Sequence, residues 1–597
     1  MKERYKYIIL FLILIGFFLI YIHFINSVAE NVVFSDQIGF VNEFVEPLME
    51  ENFSEINLFK FKGVHLPFGY HVYFILNVLL FDLNTLITLN LSAIFLFIFA
   101  IQLTIHLLSD EGKIKKPWQY FYFIALYIII FSLNKRNIIL HELGIQHSAL
   151  LLITFNIAMI LNRIIKSSEF NKRNFIMLNI LIFGLLFVAS ISVSLFIIIL
   201  TSIIFLYKII VSRNYYYGVP FGVLLITTGL YIYFYLHTTI NNVMNESSFN
   251  LTSLLNIIKK MYDGFSSFIV HELTVSFFEK FMNRSLLLNF LSVFVIFLIV
   301  YSLYLYIKNK IFKKDLLPLF LIFHSIYYLL AVSFGRDSSR APRYAFYYMF
   351  SLIGVLMVLY YVKLNTLGRK RIINTINYIL IFLLISMSFY SSFRIYQYKD
   401  GIAKYFEIRK SLALTDTIDN DDYKWFLYSS NEPINNAYDL LEKYQLNVYA
   451  DNEKNSDLIV EDFDCRYAFI FSEDIYYSNS KNSCWSQSES EINISIDPEK
   501  INLSSLSITG YIPFTEDELN PDIDEFILQI YLNDIFAYQV STNKPKNFEI
   551  LIPIDEILNN NYNSNFINVK FISNDLNQNE ESFRLSDISI IIDSNHN

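Results

Sequence analysis

Apolar residues in this chain gather in runs of about 20, the length that crosses a bilayer. They fall near 7–25, 85–108, 118–133, 148–165, 175–190, 191–211, 219–236, 285–307, 316–333, 344–362 and 375–393. The pattern predicts a polytopic α-helical membrane bundle of about 11 transmembrane helices. The stretch 175–211 is too long for one span, and "ASISVS" (189–194) supplies the small and hydroxylated residues for a tight break. A shorter run, "YHVYFILNVLLF" (70–81), predicts an interfacial or re-entrant helix. The first run follows Lys2, Arg4 and Lys6 and lacks a small-x-small cleavage site, so it reads as a retained helix rather than a signal peptide.

Past residue 397 the period changes. "GIAKYFEIRKSLAL" and "EPINNAYDLLEKYQL" have amphipathic helical spacing, giving a helical linker over 398–455. From 456 to 597, segments such as "LSSLSITGYIPF", "DEFILQIYLND" and "NFINVKFIS" alternate apolar and polar positions between Asn/Asp/Pro turns. That period predicts antiparallel strands and a mainly β, sandwich or jelly-roll-like domain. Such domains often bind glycans through exposed aromatics; Trp485, Tyr511, Phe514 and Tyr538 are available for that or for core packing.

Composition agrees with this division, and charge adds a direction. Hydrophobic residues make up 54% of the chain and mean hydropathy is +0.40, too apolar for a soluble protein. Residues 1–397 carry 32 Lys+Arg against 19 Asp+Glu, whereas residues 398–597 carry 14 against 36. The short loops that share a side with the N-terminus are all basic: Lys113, Lys115 and Lys116; Arg163, Lys166, Lys172 and Arg173; Lys208 and Arg213; Lys308 to Lys314; Arg369 to Arg371. The positive-inside rule makes them cytoplasmic, and an odd number of spans then exports the acidic C-terminal part. Cys465 and Cys484 both lie in that part, as one disulfide or as two free buried thiols. The reading is a multi-pass protein of a prokaryotic cytoplasmic (inner) membrane, with lipid around it and no nucleic-acid partner.

Three outer segments hold the candidate chemistry. The first, residues 30–74, carries Asp36 just before a helical pattern at Ile38, Val41, Val45 and Leu48, and then His65 and His71. A carboxylate there can act as general base, or Ser35 or Asp36 can simply cap the helix; spacing alone favours the cap. The second, "NKRNIILHELGIQHSALL" (134–151), gathers His141, Glu142, Gln146 and His147 at the outer end of a span. His141 and His147 are six apart, not the i, i+4 spacing of a helical zinc pair, so no metal site is expected. Polar residues facing an aqueous cavity between helices is the better reading. The third, "FGRDSSRAPRY" (334–344), places Arg336, Arg340 and Arg343 on the outer face against the charge rule. Their planar forks suit a lipid phosphate or pyrophosphate, or pair with Asp337 or the acidic first loop.

Taken in order, "FSDQ" (34–37), "GVHLPF" (63–68), "HELGIQHSALLL" (141–152), "ASISVSL" (189–195) and "FGRDSSRAPRY" resemble GT-C-fold membrane glycosyltransferases. More narrowly, the chain is similar to bacterial polytopic members with an exported C-terminal domain. The resemblance covers most of residues 1–397. It departs at His65-Leu66, where members carry His-Arg, and at Pro342-Arg343-Tyr344, where the motif usually ends Ser-Arg-Tyr. It implies a polyprenyl-phosphate-linked sugar donor, a cell-surface glycan or glycolipid acceptor, and a metal-independent inverting transfer on the outer face. By the same resemblance Asp36 is the catalytic base, Glu142 orients the acceptor, and Arg336, Arg340 and Arg343 hold the donor phosphate. No cofactor is implied, because the lipid-linked sugar is the substrate. No Walker loop or Rossmann glycine signature occurs, which suits a donor delivered from the membrane. The rival reading is a non-catalytic lipid-linked-glycan transporter or glycan-binding scaffold. Transporters tend to show Gly/Pro-interrupted helices and repeats, and this chain has 16 Gly, 12 Pro and no repeat.

Overall fold

The computed structural model describes residues 2–58, 68–109, 116–167, 171–188, 191–211, 213–239, 251–271, 274–275, 278, 283–335, 344–365, 371–414 and 434–450, and beyond them ten β-strands. The chain is mostly helical. Each predicted apolar run lies on a helix: α1 (Lys2–Val28), α4 (Thr85–Ser109), α5 (Trp118–Ile130), α7 (Gly144–Lys166), α8 (Lys172–Val188), α9 (Ile191–Ile210), α10 (Gly218–Thr239), α12 (Arg284–Lys308), α13 (Leu317–Gly335), α14 (Ala345–Asn365) and α15 (Arg371–Gln397). Among the described residues, seven of these are long and apolar enough to cross a membrane: α1, α4, α7, α12, α13, α14 and α15. The expected break in 175–211 falls between Val188 and Ile191.

The helices are not equivalent. All of the apolar window of α14 is buried, so α14 forms the axis of the bundle. It packs tightly on α13 at Gly354, where an added Cβ would sit 2.6 Å from the Pro318 carbonyl oxygen and 2.8 Å from Ile322 Cγ1. On α1 and α12, by contrast, Leu12, Ile20, Leu286, Phe290 and Val300 are more than half exposed. Helices apolar on every side, with such side chains turned outward, suit a lipid surround.

Shorter helices decorate the bundle. Helix α2 (Asp36–Met49) buries Ile38, Val41, Val45 and Leu48, the stripe expected from its spacing. Helix α3 (Phe68–Phe81) covers the shorter apolar run at 70–81 and leaves Leu76, Leu79 and Leu80 exposed. A single turn, α6 (Arg136–Ile139), separates α5 from α7, and α11 (Leu251–Ser266) precedes α12. After α15 come α16 (Lys399–Ala413) and α17 (Ile434–Lys443), the latter packed on α2.

The C-terminal strands form two antiparallel sheets. One runs β2 (Ile475–Ser478), β3 (Ser483–Ser486), β10 (Phe583–Ile592), β5 (Ser504–Ile512), β8 (Lys546–Pro553), with β1 (Asp462–Phe463) also on β10. The other runs β4 (Glu489–Ser495), β9 (Phe566–Ser573), β6 (Phe526–Leu532), β7 (Ile535–Thr542). Alternation is visible where burial is described: Leu528, Ile530 and Leu532 are buried, as are Ile550 and Ile552, whereas Leu551 is exposed. Tyr538 is exposed on β7. Trp485 and Cys484 lie on β3 and Tyr511 on β5, while Phe514 and Cys465 lie outside the described residues.

Candidate functional site

The site begins with a sharp turn in the chain. Val32, Val33 and Phe34 run buried and non-helical, and Ser35 then turns the backbone at φ 57°, ψ −133° into α2. Positive φ is strained for a residue with a Cβ. Asn447, from the turn after α17, holds the approach: its Oδ1 accepts from Val33 N–H at 2.9 Å, and its Nδ2 donates to the carbonyl of Leu83 at 2.7 Å. Ser35 stands at the N-cap of α2, yet its side chain makes no capping bond. The cap favoured by spacing is therefore not made by Ser35.

Instead Ser35 Oγ lies 3.2 Å from Nε2 of His141, a residue 106 positions away. His141 Nδ1 lies 3.2 Å from Glu142 Oε2, and the Glu142 side chain is fully buried. The amide of Leu143 donates a hydrogen bond to Nδ1 at 3.2 Å. Phe34 meets the imidazole edge-on at 5.6 Å.

The turn that presents His141 and Glu142 depends on Gly144, whose added Cβ would fall 2.3 Å from the Ile138 carbonyl oxygen and 3.3 Å from Ser92 Oγ. Ser92 in turn bonds Ser148 at 2.7 Å, tying α4 to the start of α7. Gln146 is half-buried in the first turn of α7. His147 Nδ1 is hydrogen-bonded to Tyr347 OH on α14, and Tyr347 packs on Tyr328 of α13 at 4.1 Å. The segment 141–147 is thus linked through His141 to Ser35 and through His147 to α14.

Asp36 opens α2 directly after Ser35, so its backbone sits beside the His141 contact; its side chain is outside the description. His65, Arg336, Arg340 and Arg343 also lie outside the described residues. His71 is described and sits elsewhere: fully buried against Phe40 and Phe44, with Nδ1 2.9 Å from the carbonyl of Leu58. It joins α3 to the chain after α2 and is not brought to His141.

Three groups were missed by reading the sequence. Arg409 of α16, 9% exposed, stacks its guanidinium 4.0 Å over the ring of Phe34, one residue before Ser35. Lys135 is 1% exposed; its Nζ donates to the carbonyls of Ile129 and Ile130, beside Met349 Sδ at 3.2 Å. Burial pulls its pKa down to about 7. His271 is buried, and burial and then the nearby Arg136 charge push its pKa well below the usual imidazole value, so it is neutral at neutral pH. The spacing of the sequence marked none of these three.

Two apolar cavities flank the bundle. One of about 280 Å³ lies among α1, α5 and α15, lined by Phe17, Tyr21, Phe131, Phe389, Phe393 and Tyr396. The other, of about 270 Å³, lies among α7, α9 and α13 near Asn162, Phe196 and Phe320. No protein-family model, no curated protein and no solved structure matches the chain.

Proposed function

We propose that this chain is a GT-C-like membrane glycosyltransferase of eleven spans. It transfers a sugar from a polyprenyl-phosphate-linked donor to a cell-surface glycan or glycolipid on the outer face of a prokaryotic cytoplasmic membrane. The observation that carries the reading is the Ser35–His141 contact. It brings together two of the short motifs on which the resemblance rests, and the His147–Tyr347 bond ties them to the helix after the third.

In this mechanism Asp36 takes the proton of the acceptor hydroxyl as it attacks the anomeric carbon. The buried Glu142 and His141 orient the acceptor. Arg336, Arg340 and Arg343 hold the departing lipid phosphate, with Arg409 as a further cation beside Phe34. Guanidinium groups suit this because charge builds on the phosphate as the glycosidic bond breaks. The cavity among α1, α5 and α15 suits an isoprenoid tail. The exported strands form a β-sandwich that lies on the glycan side.

The test is Asp36→Asn in the native host. At normal protein level, surface glycan falls by two orders of magnitude or more, the usual scale of a lost general base (about 10²–10⁴). Unchanged surface glycan with normal protein level overturns the reading.

A further inference from the structure

In the four-stranded C-terminal sheet, β7 breaks its alternation and brings an aromatic ring onto the polar face. Along β6, Leu528, Ile530 and Leu532 are buried, and so is Val540 of β7, opposite Leu528. Gln529 and Tyr531 therefore belong to the other face, and Gln539, opposite Gln529, joins them there. Simple alternation from Val540 would send Phe536 to the buried face and set Ala537 opposite Tyr531. A β-bulge intervenes. The register runs Ile530↔Tyr538 and then Tyr531↔Phe536, with Ala537 as the extra residue. Bulges of this kind re-aim a side chain. Here the result is a phenylalanine 52% exposed on the face that carries the glutamines.

Four side chains on that face touch in series. The rings of Phe536 and Tyr531 have centroids 5.7 Å apart and planes at 76°. Tyr531 OH donates to Gln529 Oε1 at 3.0 Å, and Gln529 Nε2 donates to Gln539 Oε1 at 3.3 Å. Each bond orients an amide without exhausting it, because a carboxamide carries two N–H donors and two acceptor lone pairs. Among the described residues, Gln539 Nε2 has no protein acceptor, so both of its hydrogens face outward free. None of the four side chains is charged. In register, Lys570 of β9 stands opposite Tyr531 and Glu491 of β4 opposite Lys570, two charges of opposite sign.

That combination selects among ligands. An anion finds no cation in the row of four. An apolar helix laid across them would leave the amides unpaired, which is costly. A polyhydroxylated ring suits both halves of the patch: its C–H face covers an aromatic ring, and its hydroxyls donate to and accept from carboxamides.

We infer that Gln529, Tyr531, Phe536 and Gln539 form a binding site for a neutral glycan built of pyranose rings. One sugar ring stacks on Phe536, and its hydroxyls bond Gln529 and Gln539. The site holds the glycan and does not react with it. It uses none of the residues given to sugar transfer, so either reading can fail without the other.

The experiment titrates the full-length protein in detergent micelles, by calorimetry, with neutral hexasaccharides of glucose, galactose, mannose and N-acetylglucosamine. Polygalacturonate is the acidic comparison. At least one neutral hexasaccharide binds, and more tightly than the polyuronate. Phe536→Ala weakens that binding about tenfold or more, the scale of a truncated aromatic anchor, and keeps its melting temperature. Gln539→Ala, at an exposed position, also weakens it, and decides the matter if Phe536→Ala melts early. Tyr538→Ala is the control: that ring is exposed too, but it lies opposite Ile530 on the other face, and its loss leaves binding unchanged. The site is overturned if folded wild-type protein binds no neutral hexasaccharide or prefers the polyuronate. Unchanged binding in Phe536→Ala or Gln539→Ala, or an equal loss in Tyr538→Ala, overturns it as well. Because β7 ends its sheet, a second copy of the chain is the rival occupant. A wild-type dimer that Phe536→Ala turns into a monomer, on light scattering, assigns the patch to that copy and overturns the glycan site.

Discussion

His106 Nε2 lies 2.8 Å from Asp315 Oδ2, joining α4 to the chain just before α13, and that carboxylate is fully buried. Tyr361 OH donates to the same oxygen at 2.7 Å, and Asn162 Nδ2 to the other at 2.7 Å. Leu317 N–H donates to Oδ1 at 3.1 Å, and Tyr306 OH to the Asp315 carbonyl at 2.9 Å. One aspartate thus joins α4, α7, α12, α13 and α14. Burial pushes its pKa up, but bonds from His106, Tyr361 and the Leu317 amide outweigh that and hold the carboxyl below its ordinary value. Removing the carboxylate leaves its buried donors unsatisfied, at about 1–3 kcal/mol for such a group. Asp315→Ala is therefore expected to unfold in detergent at a much lower temperature than wild type, measured by fluorescence-detected size exclusion after heating. A shift within error would show that the network does not hold the bundle.

Gly144→Ala tests the turn that presents His141 and Glu142. Its new methyl would meet the Ile138 carbonyl at 2.3 Å, a backbone atom that cannot swing aside. Overpacking of this kind costs about 1–3 kcal/mol. Gly354→Ala meets a comparable clash with the Pro318 carbonyl at 2.6 Å, away from the site. Both variants are expected to lose thermal stability, and only Gly144→Ala to weaken cross-linking between cysteines placed at 35 and 141. Equal cross-linking in the two would separate the turn from the site.

The apolar helices were legible because twenty-residue apolar runs are long enough to cross a bilayer, where the backbone has little choice but helix. The stripe of α2 was legible for the same reason, since Ile38, Val41, Val45 and Leu48 repeat at helical spacing. At the site, the polar segments at 34–37 and 141–147 were singled out and do meet, at Ser35 and His141. What spacing could not give is direction. It left the cap to Ser35 or Asp36, and the Ser35 hydroxyl turns instead to a histidine 106 residues away; it also grouped His71 with the site although His71 is packed between Phe40 and Phe44. Lys135 and Arg409 were not singled out, since their burial leaves no pattern in the sequence.

The clamp between α2 and α17 should depend on pH. Lys443 Nζ lies 3.2 Å from Glu50 Oε1 and 3.3 Å from Glu46 Oε1, and Tyr444 OH donates to Glu50 at 3.0 Å. Tyr444 and then Lys443 hold the Glu50 carboxyl below its ordinary value of 4.5. A depressed folded pKa means that the contribution is complete above the unfolded value and lost as pH falls through the folded one. Lys443 is raised by the same partners, Tyr444 first and then Glu50, so its share persists until strongly alkaline pH. Hydrogen exchange in 434–443 should be flat from neutral to mildly acid pH and rise below about pH 4 once corrected for intrinsic rate. Glu50→Gln should remove that acid limb. A limb that survives in the variant assigns it to another carboxylate.

Asn447 offers the sharpest test of how the region after α15 supports the site. Its backbone is left-handed, at φ 55°. Its side chain serves Val33 N–H, Asn31 Oδ1, the Leu83 carbonyl and Thr85 Oγ1. Its own amide donates to the Asp82 carbonyl at 2.7 Å. Three distant stretches of chain thus meet on one carboxamide, immediately before the bend at Ser35. Truncation leaves buried partners unsatisfied, at about 1–3 kcal/mol for such a group. Alanine adds a conformational penalty at positive φ, whereas glycine adopts that backbone freely and isolates the side-chain bonds. Asn447→Gly should therefore melt below wild type but above Asn447→Ala. In both, hydrogen exchange should rise at 31–35 as well as at 82–85, while the helices of the bundle stay protected. Protection at 31–35 that is unchanged in Asn447→Gly would mean that the bend at Ser35 is held by other contacts, among them Ser35–His141 and Arg409–Phe34.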